Sequence, residues 1–246
     1  MRRAASGPAV LVAAGLEPTG RVGLLADVAA VSAAGGVPWG FATALTAQGR
    51  DFRCEAVPGA LLAAQLDATL AEARPASVKL GMVPDARTLA VLWQRFARLP
   101  VPLVVDPVVR TSRGEGLSRL HPADFRALAG PRVWLTPNVL ELAWLLGQRA
   151  APESLQAVAE LGATLRADGF AAVVVKGGHL PGPPVDVLVL PEAVRFFAGS
   201  RLARAGAKRG TGCRFSSTLA TALARGLPAP AAVSAARRAV RRYLRG

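Results

Sequence analysis

A glycine-rich segment near the end of the chain is the strongest candidate for chemistry. Residues 209–217 read Arg-Gly-Thr-Gly-Cys-Arg-Phe-Ser-Ser and open an apolar, helix-like stretch. Gly210 and Gly212 allow a sharp turn and a close approach to a ligand, and a helix start offers unpaired N–H groups to a phosphate. We expect this setting to lower the pKa of Cys213, so that it acts as a base or polarises a hydroxyl group. The alternative is a glycine-rich helix cap that contains a small buried cysteine.

Acidic and amide side chains follow two apolar segments in the middle of the chain. Asp106 ends the apolar segment 102–106, and Asn138 and Glu141 follow the apolar segment 133–136. Mg²⁺ often binds one or two carboxylates together with phosphate oxygens, so these side chains indicate a magnesium–phosphate cluster. The Asn138–Glu141 spacing is also that of a helix capping box, and Asp106 is alternatively an ordinary loop or N-cap residue.

A lysine followed by two glycines ends another apolar run. Residues 176–179 read Lys-Gly-Gly-His, and Lys176 is one of only three lysines in an arginine-rich chain. The glycines suit a turn around a phosphate, and the lysine supplies a compact positive charge. A hairpin loop with a solvated lysine is the alternative. His179 is interpreted as a loop residue and is not included among the catalytic candidates.

Alternating strands and helices must position these residues. The pattern predicts strands over 10–14, 39–46, 78–82, 102–106, 133–136 and 171–176, and a hairpin of 185–190 with 193–197. It predicts helices over 23–34, 58–73, 86–97, 138–146, 155–167, 212–224 and 231–243. Such alternation indicates one α/β domain over residues 1–246, a three-layer α/β/α unit with a mainly parallel central sheet and helices on both faces. Because ligands bind at the carboxyl ends of parallel strands, the polar motifs should meet at one edge of the sheet.

The overall composition is that of a folded but strongly basic chain. Of 246 residues 52% are hydrophobic, and the formal net charge is +14. Such a charge is compatible with binding to nucleic acid or to an acidic membrane surface. The excess comes mainly from arginine, however, and we interpret it as a basic, solvated surface with no nucleic-acid partner. The densest patch, on the last predicted helix, is expected to be a solvated face without a role in catalysis; it consists of Arg237, Arg238, Arg241, Arg242 and Arg245.

Cysteine usage and hydropathy favour the cytoplasm. Cys54 and Cys213 are the only cysteines, too few for a disulfide framework or a cysteine–histidine metal site. The basic N-terminus followed by apolar residues resembles a signal peptide, but Pro8 and Glu17 interrupt the run, which we interpret as a first buried strand. No charge-free apolar segment reaches membrane length, so no membrane association is expected.

Together these motifs resemble the hydroxymethylpyrimidine/phosphomethylpyrimidine kinase family of thiamine biosynthesis, within the ribokinase-like superfamily. The resemblance extends from Val10 to the last helix, and its segments occur in the family's order. They are Ala14-Gly15 to Asp27, Thr43-Ala44-Leu45-Thr46-Ala47-Gln48, Lys79-Leu80-Gly81-Met82, Asp106-Pro107-Val108, Thr136-Pro137-Asn138 to Glu141, Lys176-Gly177-Gly178-His179 and Gly210-Thr211-Gly212-Cys213. The cysteine of the last segment favours this family, because most ribokinase relatives have aspartate there.

The resemblance implies an ATP- and Mg²⁺-dependent kinase that phosphorylates hydroxymethylpyrimidine, its monophosphate or both. Cys213 would be the base, and Gly210 and Gly212 would form the anion hole around it. Gln48 would hydrogen-bond the aminopyrimidine. The other implied roles are acceptor contacts for Gly15, Asp27 and Met82, nucleotide and phosphate contacts for Asp106, Asn138, Lys176 and Thr211, and metal binding for Glu141 and Asp106. Relatives are often dimers, so a homodimer is a further expectation.

The chain departs from the family's pattern on the acceptor side. Residues 16–23 read Leu-Glu-Pro-Thr-Gly-Arg-Val-Gly where the family has Ser-Asp-x-Ser-Gly-Gly-Ala-Gly. Leu25 and Ala29 replace a glutamine and a lysine, and Gly49-Arg50 replaces Asn-Thr. Arg21 or Arg50 would suit a phosphorylated acceptor. Two alternatives stay open: a vitamin kinase of the pyridoxal or pyridoxine type, and a catalytically weak pyrimidine-binding regulatory homologue.

Overall fold

A single nine-stranded sheet forms the centre of the molecule. The computed structural model describes residues 7–49, 51–72, 74–111, 114–178, 180, 182–202 and 208–246. The strands are β1 (Ala9–Leu16), β2 (Val37–Gln48), β3 (Phe52–Ala56), β4 (Ser77–Leu80), β5 (Leu103–Val105), β6 (Val133–Leu135), β7 (Ala172–Val175), β8 (Val185–Val189) and β9 (Val194–Ala198). The helices are α1 (Gly23–Ala33), α2 (Gly59–Glu72), α3 (Ala86–Phe96), α4 (Pro122–Arg126), α5 (Val139–Leu145), α6 (Leu155–Arg166), α7 (Thr211–Ala224) and α8 (Ala229–Arg245).

The middle of the sheet is parallel and its margins are antiparallel. The strand order is β3-β2-β1-β4-β5-β6-β7-β8-β9. The contiguous block from β2 to β7 pairs in parallel, whereas β3, β8 and β9 pair antiparallel with their neighbours. The predictions of a mainly parallel sheet and of the β8–β9 hairpin are therefore confirmed.

Two elements were not predicted from the sequence. Strand β3 extends the sheet beyond β2, pairing Gln48 with Phe52 at one end and Ala44 with Ala56 at the other. Its residues are exposed or half-buried, so it has no continuous apolar pattern. Helix α4 has only five residues, too few for a helical period to be visible.

Helices cover both faces of the sheet because the parallel strands are buried on both sides. Along β1, Leu11 and Ala13 point to one core cluster, while Val10, Val12 and Ala14 point to the other, as the alternation of side chains along a strand requires. Helices α2 to α6 pack on the first face, and α1, α7 and α8 pack on the second. The three-layer α/β/α prediction is confirmed.

The described helices give no sign of a membrane span. Among the residues that the structure describes, no helix combines the length and the apolar character needed to cross a bilayer.

A buried polar triad joins three elements beneath the carboxyl edge of the sheet. The Lys79 ammonium of β4 lies 2.6 Å from the Asp27 carboxylate of α1, and the side chains are 1% and 0% exposed. The second Asp27 oxygen accepts a hydrogen bond of 2.8 Å from Ser217 Oγ of α7. Burial raises the pKa of Asp27, while Lys79 and Ser217 oppose that effect. The triad therefore holds α1 and α7 to the sheet through buried, hydrogen-bonded polar groups.

We predict that Asp27→Ala lowers the free energy of unfolding by about 3 to 5 kcal/mol, because it leaves the Lys79 charge buried without its partner. Urea denaturation of the variant measures the loss. The matched control is Asp168→Ala, which removes a partly exposed carboxylate from Arg126 at 2.6 Å and should cost less than about 1 kcal/mol. If the two variants lost the same free energy of unfolding, the buried pair would stabilise the fold no more than the partly exposed pair does.

Candidate active site

One large cavity lies at the carboxyl edge of the parallel strands. Its volume is about 960 Å³. All residues proposed from the sequence for catalysis, nucleotide, acceptor or metal binding line it: Gly15, Asp27, Gln48, Met82, Asp106, Asn138, Glu141, Lys176, Gly210, Thr211, Gly212 and Cys213. The prediction that the polar motifs meet at one edge is therefore confirmed, because the ends of β1, β4, β5, β6 and β7 lie side by side.

An ion pair between the ends of β5 and β7, which lie on either side of β6, lines the cavity. Lys176 Nζ, directly after β7, lies 2.7 Å from Asp106 Oδ1, directly after β5. Asp106 is completely buried and also accepts hydrogen bonds from Thr136 Oγ1 at 3.4 Å and Ser216 Oγ at 3.3 Å. Glu141 Oε2 lies 3.8 Å from the same ammonium. The Lys176 charge is thus held between two carboxylates and faces the cavity.

Burial and mutual charge set the protonation of this cluster. Burial disfavours the charged form of Asp106, but the ion pair with Lys176 and the nearby Lys79 hold the pKa of Asp106 below its usual range. The pKa of Glu141 is raised to about 7, mainly by burial. The Lys176 charge acts to lower this pKa, and the Asp106 charge acts to raise it. Although burial opposes the charge of Lys176, Asp106 and Glu141 raise its pKa well above the ordinary value. Lys176 is therefore cationic at neutral pH, and Glu141 is close to its midpoint.

Asn138 and Glu141 form the capping box that their spacing predicts. Asn138 Oδ1 accepts from the backbone N–H groups of Leu140 and Glu141, both at 2.9 Å. Glu141 Oε2 accepts from Asn138 N at 2.7 Å. The same carboxylate also faces Lys176, so the capping interpretation and the functional interpretation apply together.

The donor set restricts how Mg²⁺ would be held. Among the described residues, no three His, Cys, Asp or Glu side chains group closely enough to form a metal cluster. Asp106 and Glu141 supply the one or two carboxylates typical of a site that Mg²⁺ shares with phosphate oxygens and water. The residues therefore fit a magnesium ion bound together with a nucleotide, and they do not fit a cage made of protein ligands alone.

The start of α7 lies opposite Lys176 in the cavity. Gly210 has a left-handed φ of 82°, and a Cβ atom there would collide with the carbonyl oxygen of Arg21. A Cβ atom on Gly212 would lie 3.3 Å from Lys176 Nζ and 3.6 Å from Asp106 Oδ2. The first turn of α7, whose backbone N–H groups have no partner within the helix, therefore lies close to the Lys176 ammonium.

Cys213 lies in this first turn, half-buried in the cavity wall. The prediction that the pKa of Cys213 is lowered is wrong. Burial raises the pKa of the thiol to about 11, with contributions from the carboxylates of Asp27 and Asp106, while Lys79 opposes them. Withdrawal from water and two nearby negative charges therefore outweigh the favourable helix start, and the thiol is neutral at pH 7.

The acceptor-side residues gather at the end of β2. Gln48 Oε1 accepts a 2.6 Å hydrogen bond from Arg209, and Gln48 Nε2 donates to Thr46 Oγ1 at 3.3 Å. Gly15 lies so close to Met82 that a Cβ atom would stand 2.9 Å from its sulfur. Asp27 also lines the cavity, but both of its oxygens are engaged by Lys79 and Ser217. Arg50 and His179 lie outside the described residues.

Several contacts of the site were not predicted from the sequence. Arg209, which orients Gln48, stands directly before the Gly210 turn, and that adjacency was the available signal. Asp186, on β8, accepts from the backbone N–H of Gly177 at 2.9 Å. Ser216, which supports Asp106, follows Cys213 by three residues and so lies on a neighbouring part of the same helix face.

The arginines of α8 do not form one solvated face. Arg237 and Arg241 line the cavity; Arg237 Nε is paired with Asp186 Oδ2 at 2.8 Å, and Arg241 donates to Ser200 Oγ at 3.1 Å. Arg238, Arg242 and Arg245 are exposed. The prediction of a wholly solvated face is therefore wrong for two of the five. Arg237 and Arg241 follow the buried Val233 at steps of four residues, which puts them on the stripe that packs inward.

Comparison with known proteins identifies relatives over most of the chain. Residues 17–246 match the family model described as phosphomethylpyrimidine kinase. The chain is 36% identical to the "Thiamine biosynthesis multifunctional protein ThiED" of Corynebacterium efficiens over 97% of its own length, but it spans only 33% of that larger protein. It is 35% identical to the hydroxymethylpyrimidine/phosphomethylpyrimidine kinase of Rhizobium meliloti, over 91% of this chain and 85% of the relative.

Solved structures agree with the fold. The phosphomethylpyrimidine kinase of Clostridium difficile 630 superimposes with a TM-score of 0.79 at 25% identity, covering 97% of this chain and all of the other. The pyridoxal kinase of Staphylococcus aureus superimposes with a TM-score of 0.87 over 98% of this chain and 89% of that one, but its 20% identity supports the fold alone. The architecture is ribokinase-like, and the chain belongs to the phosphomethylpyrimidine kinase family.

Proposed function

We propose that this protein is an ATP-dependent kinase that phosphorylates 4-amino-5-hydroxymethyl-2-methylpyrimidine, its monophosphate or both, in thiamine biosynthesis. The observation that carries the proposal is the position of Lys176, held by Asp106 at 2.7 Å and facing the N–H groups of α7 within one cavity. Family membership supports the same activity.

The site would act mainly by positioning and charge neutralisation, as phosphoryl transfer requires. Lys176 and the first turn of α7, with Thr211, would surround the transferred phosphoryl group. Asn138 would contact the nucleotide phosphates from the start of α5. Mg²⁺, held through Asp106 and Glu141, would neutralise phosphate charge. Structures of the Staphylococcus aureus pyridoxal kinase with ADP and with AMP-PCP support a nucleotide in this fold.

The acceptor would lie between Gln48 and Cys213. Arg209 already donates to the Gln48 carbonyl oxygen, so the Gln48 amide is oriented with Nε2 directed toward Thr46. That orientation leaves one amide hydrogen and one oxygen lone pair for the ring of an aminopyrimidine. The thiolate form of Cys213, which is the minor form at pH 7, would take the proton of the hydroxymethyl group as the bond to phosphorus forms.

The direct test is ATP turnover against three acceptors: hydroxymethylpyrimidine, its monophosphate and pyridoxal. We expect turnover with one or both pyrimidines. Turnover with pyridoxal alone would replace the proposal with a vitamin kinase of the pyridoxal type. Pyrimidine binding without any turnover would identify a regulatory homologue.

The charge and the capping role of Glu141 can be separated by Glu141→Gln. A glutamine carbonyl can still accept from Asn138 N, so the melting temperature should stay near that of the wild type. The loss of a carboxylate near the nucleotide phosphates should raise the Mg²⁺ concentration for half-maximal activity about 10-fold or more, the usual scale for a lost supporting ligand. Magnesium titration of the steady-state rate measures it. An unchanged magnesium dependence would restrict Glu141 to capping.

Replacement of Cys213 should act on kcat. General-base catalysis contributes about 100- to 10,000-fold, so Cys213→Ala should lower kcat on that scale while ATP binding is kept. Cys213→Asp should retain more activity than Ala, because a carboxylate is ionised at neutral pH, and Cys213→Ser should resemble Ala. Steady-state kinetics of the three variants measure this order. Full activity in Cys213→Ala would remove the thiol from the mechanism.

The pH dependence gives a second test of Cys213. A thiol with a pKa of about 11 gains its basic form as the pH rises. The wild-type kcat should therefore increase by up to about tenfold per pH unit between roughly pH 7 and 9. The Asp variant should show no comparable rise above about pH 8, since an aspartate carboxylate and Glu141, whose pKa is about 7, are both ionised there. Identical profiles for the two proteins would argue against a thiolate base.

The orientation of Gln48 predicts an effect confined to the acceptor. Gln48→Ala should raise KM for the pyrimidine about tenfold, because hydrogen bonds of this kind contribute on the order of 1 kcal/mol each, and it should leave KM for ATP unchanged. Initial rates with each substrate varied in turn measure both constants. If both stay at the wild-type value, Gln48 does not contact the acceptor.

A further inference from the structure

Helix α8 is linked to both glycine turns that face the proposed phosphate site, to one through Asp186 and to the other directly. One contact reaches the turn after β7, which begins at Lys176, and the other reaches the turn that precedes α7. The two attachments lie at different points of the helix, at Arg237 and at Tyr243. Neither was anticipated, because the basic residues of this helix suggest a solvated face.

The first attachment runs from Arg237 through Asp186 to Gly177. Arg237 Nε donates to Asp186 Oδ2 at 2.8 Å, and the other Asp186 oxygen accepts from the Gly177 N–H at 2.9 Å. The Asp186 and Arg237 side chains are only 15% and 16% exposed. Arg237 Nη1 also donates to the carbonyl of Ala198 at 3.1 Å. The backbone next to Lys176 is thereby tied to α8 through a single shared carboxylate.

The second attachment runs from Tyr243 to the turn before α7. The Tyr243 hydroxyl donates to the carbonyl of Arg209 at 2.9 Å, directly before Gly210. Lys208 Nζ donates to the carbonyl of Tyr243 at 2.8 Å. The Arg214 guanidinium stacks on the Tyr243 ring at 3.7 Å and donates to the carbonyl of Gly210 at 3.1 Å. Tyr243 is thus bound to residues on both sides of the Gly210 turn.

We propose that α8 positions both turns for the phosphates of the nucleotide, with Arg237 and Tyr243 as the positioning residues. Electrostatic stabilisation of phosphoryl transfer depends on donors that are already in place when charge develops. The turn backbones carry those donors but contain glycines, so contacts from outside the turns must fix them. The inference rests on the proposed function for its ligand, and it adds an element that touches neither the acceptor nor the transferred group.

The test compares inward-facing and outward-facing changes on the same helix. Tyr243→Phe removes the hydroxyl bond to Arg209 but keeps the ring under Arg214, so the fold should be retained. Arg237→Gln removes the ion pair with Asp186. Arg237→Lys removes the guanidinium but keeps a positive charge at this position. The matched controls are Arg238→Gln and Arg242→Gln, which make the same charge change at exposed positions.

Affinity for ATP is the discriminating measurement. A variant that merely folds less well loses active protein and lowers the apparent kcat, but its remaining molecules bind ATP normally. We expect Kd for Mg-ATP to rise about tenfold in Tyr243→Phe and more in Arg237→Gln, in line with the loss of one neutral or one charge-assisted hydrogen bond. Arg237→Lys should recover part of the loss, and the two controls should bind as the wild type does. KM for the acceptor should not change.

Backbone amide exchange provides a readout that needs neither ATP nor acceptor. Peptides that contain Gly177 should exchange faster in Arg237→Gln, and peptides across residues 209–213 should exchange faster in Tyr243→Phe, with no change in the controls. The proposal would be overturned if Tyr243→Phe and Arg237→Gln both kept the amide exchange and the ATP affinity of the wild type. It would also be overturned if the two control variants lost as much ATP affinity as these variants do. A wild-type protein that binds ATP but phosphorylates no pyrimidine would overturn the acceptor assignment and leave this test intact.

Discussion

A fully buried carboxylate at the end of β5, Asp106, holds the Lys176 ammonium at 2.7 Å across the edge of the sheet. A buried carboxylate is unstable without partners, and Lys176, Thr136 and Ser216 together satisfy it. The pair unites residues 70 positions apart in the chain, so it exists only because β5, β6 and β7 run in parallel. The rest of the site is arranged around this fixed positive charge.

Two further features of the site follow from that ion pair. Glu141 faces the same ammonium while it caps α5, and its carboxylate is therefore held near Lys176 by the helix that it stabilises. The first turn of α7 approaches Lys176 so closely that a Cβ atom at position 212 would stand 3.3 Å from Lys176 Nζ. A site of this kind binds anions through a fixed ammonium and fixed backbone donors, with little cost of rearrangement.

The sequence predicted the strands, the two helix layers and the place where the polar motifs meet. That success has a physical basis, because buried parallel strands are continuous apolar runs and their carboxyl ends must lie at one edge. The exposed strand β3 and the five-residue α4 lack such a pattern and were missed. Their absence from the prediction did not affect the site.

The protonation of Cys213 and the role of α8 could not be derived from local sequence. The thiol's pKa depends on burial and on the carboxylates of Asp27 and Asp106, which are distant in the chain and close only in the fold. The inward contacts of Arg237 depend on how α8 lies against the β8–β9 hairpin. A basic helix was therefore interpreted from its average charge, whereas its contacts depend on which arginines lie on the packed side.

The central claim concerns where phosphoryl transfer takes place, and a crystal structure with a non-hydrolysable ATP analogue, Mg²⁺ and hydroxymethylpyrimidine tests it most directly. The account predicts the terminal phosphate between Lys176 Nζ and the backbone N–H groups of Gly212 and Cys213, with the pyrimidine hydroxymethyl group directed at that phosphate. A nucleotide bound with its terminal phosphate away from Lys176, or a pyrimidine bound away from the start of α7, would contradict it.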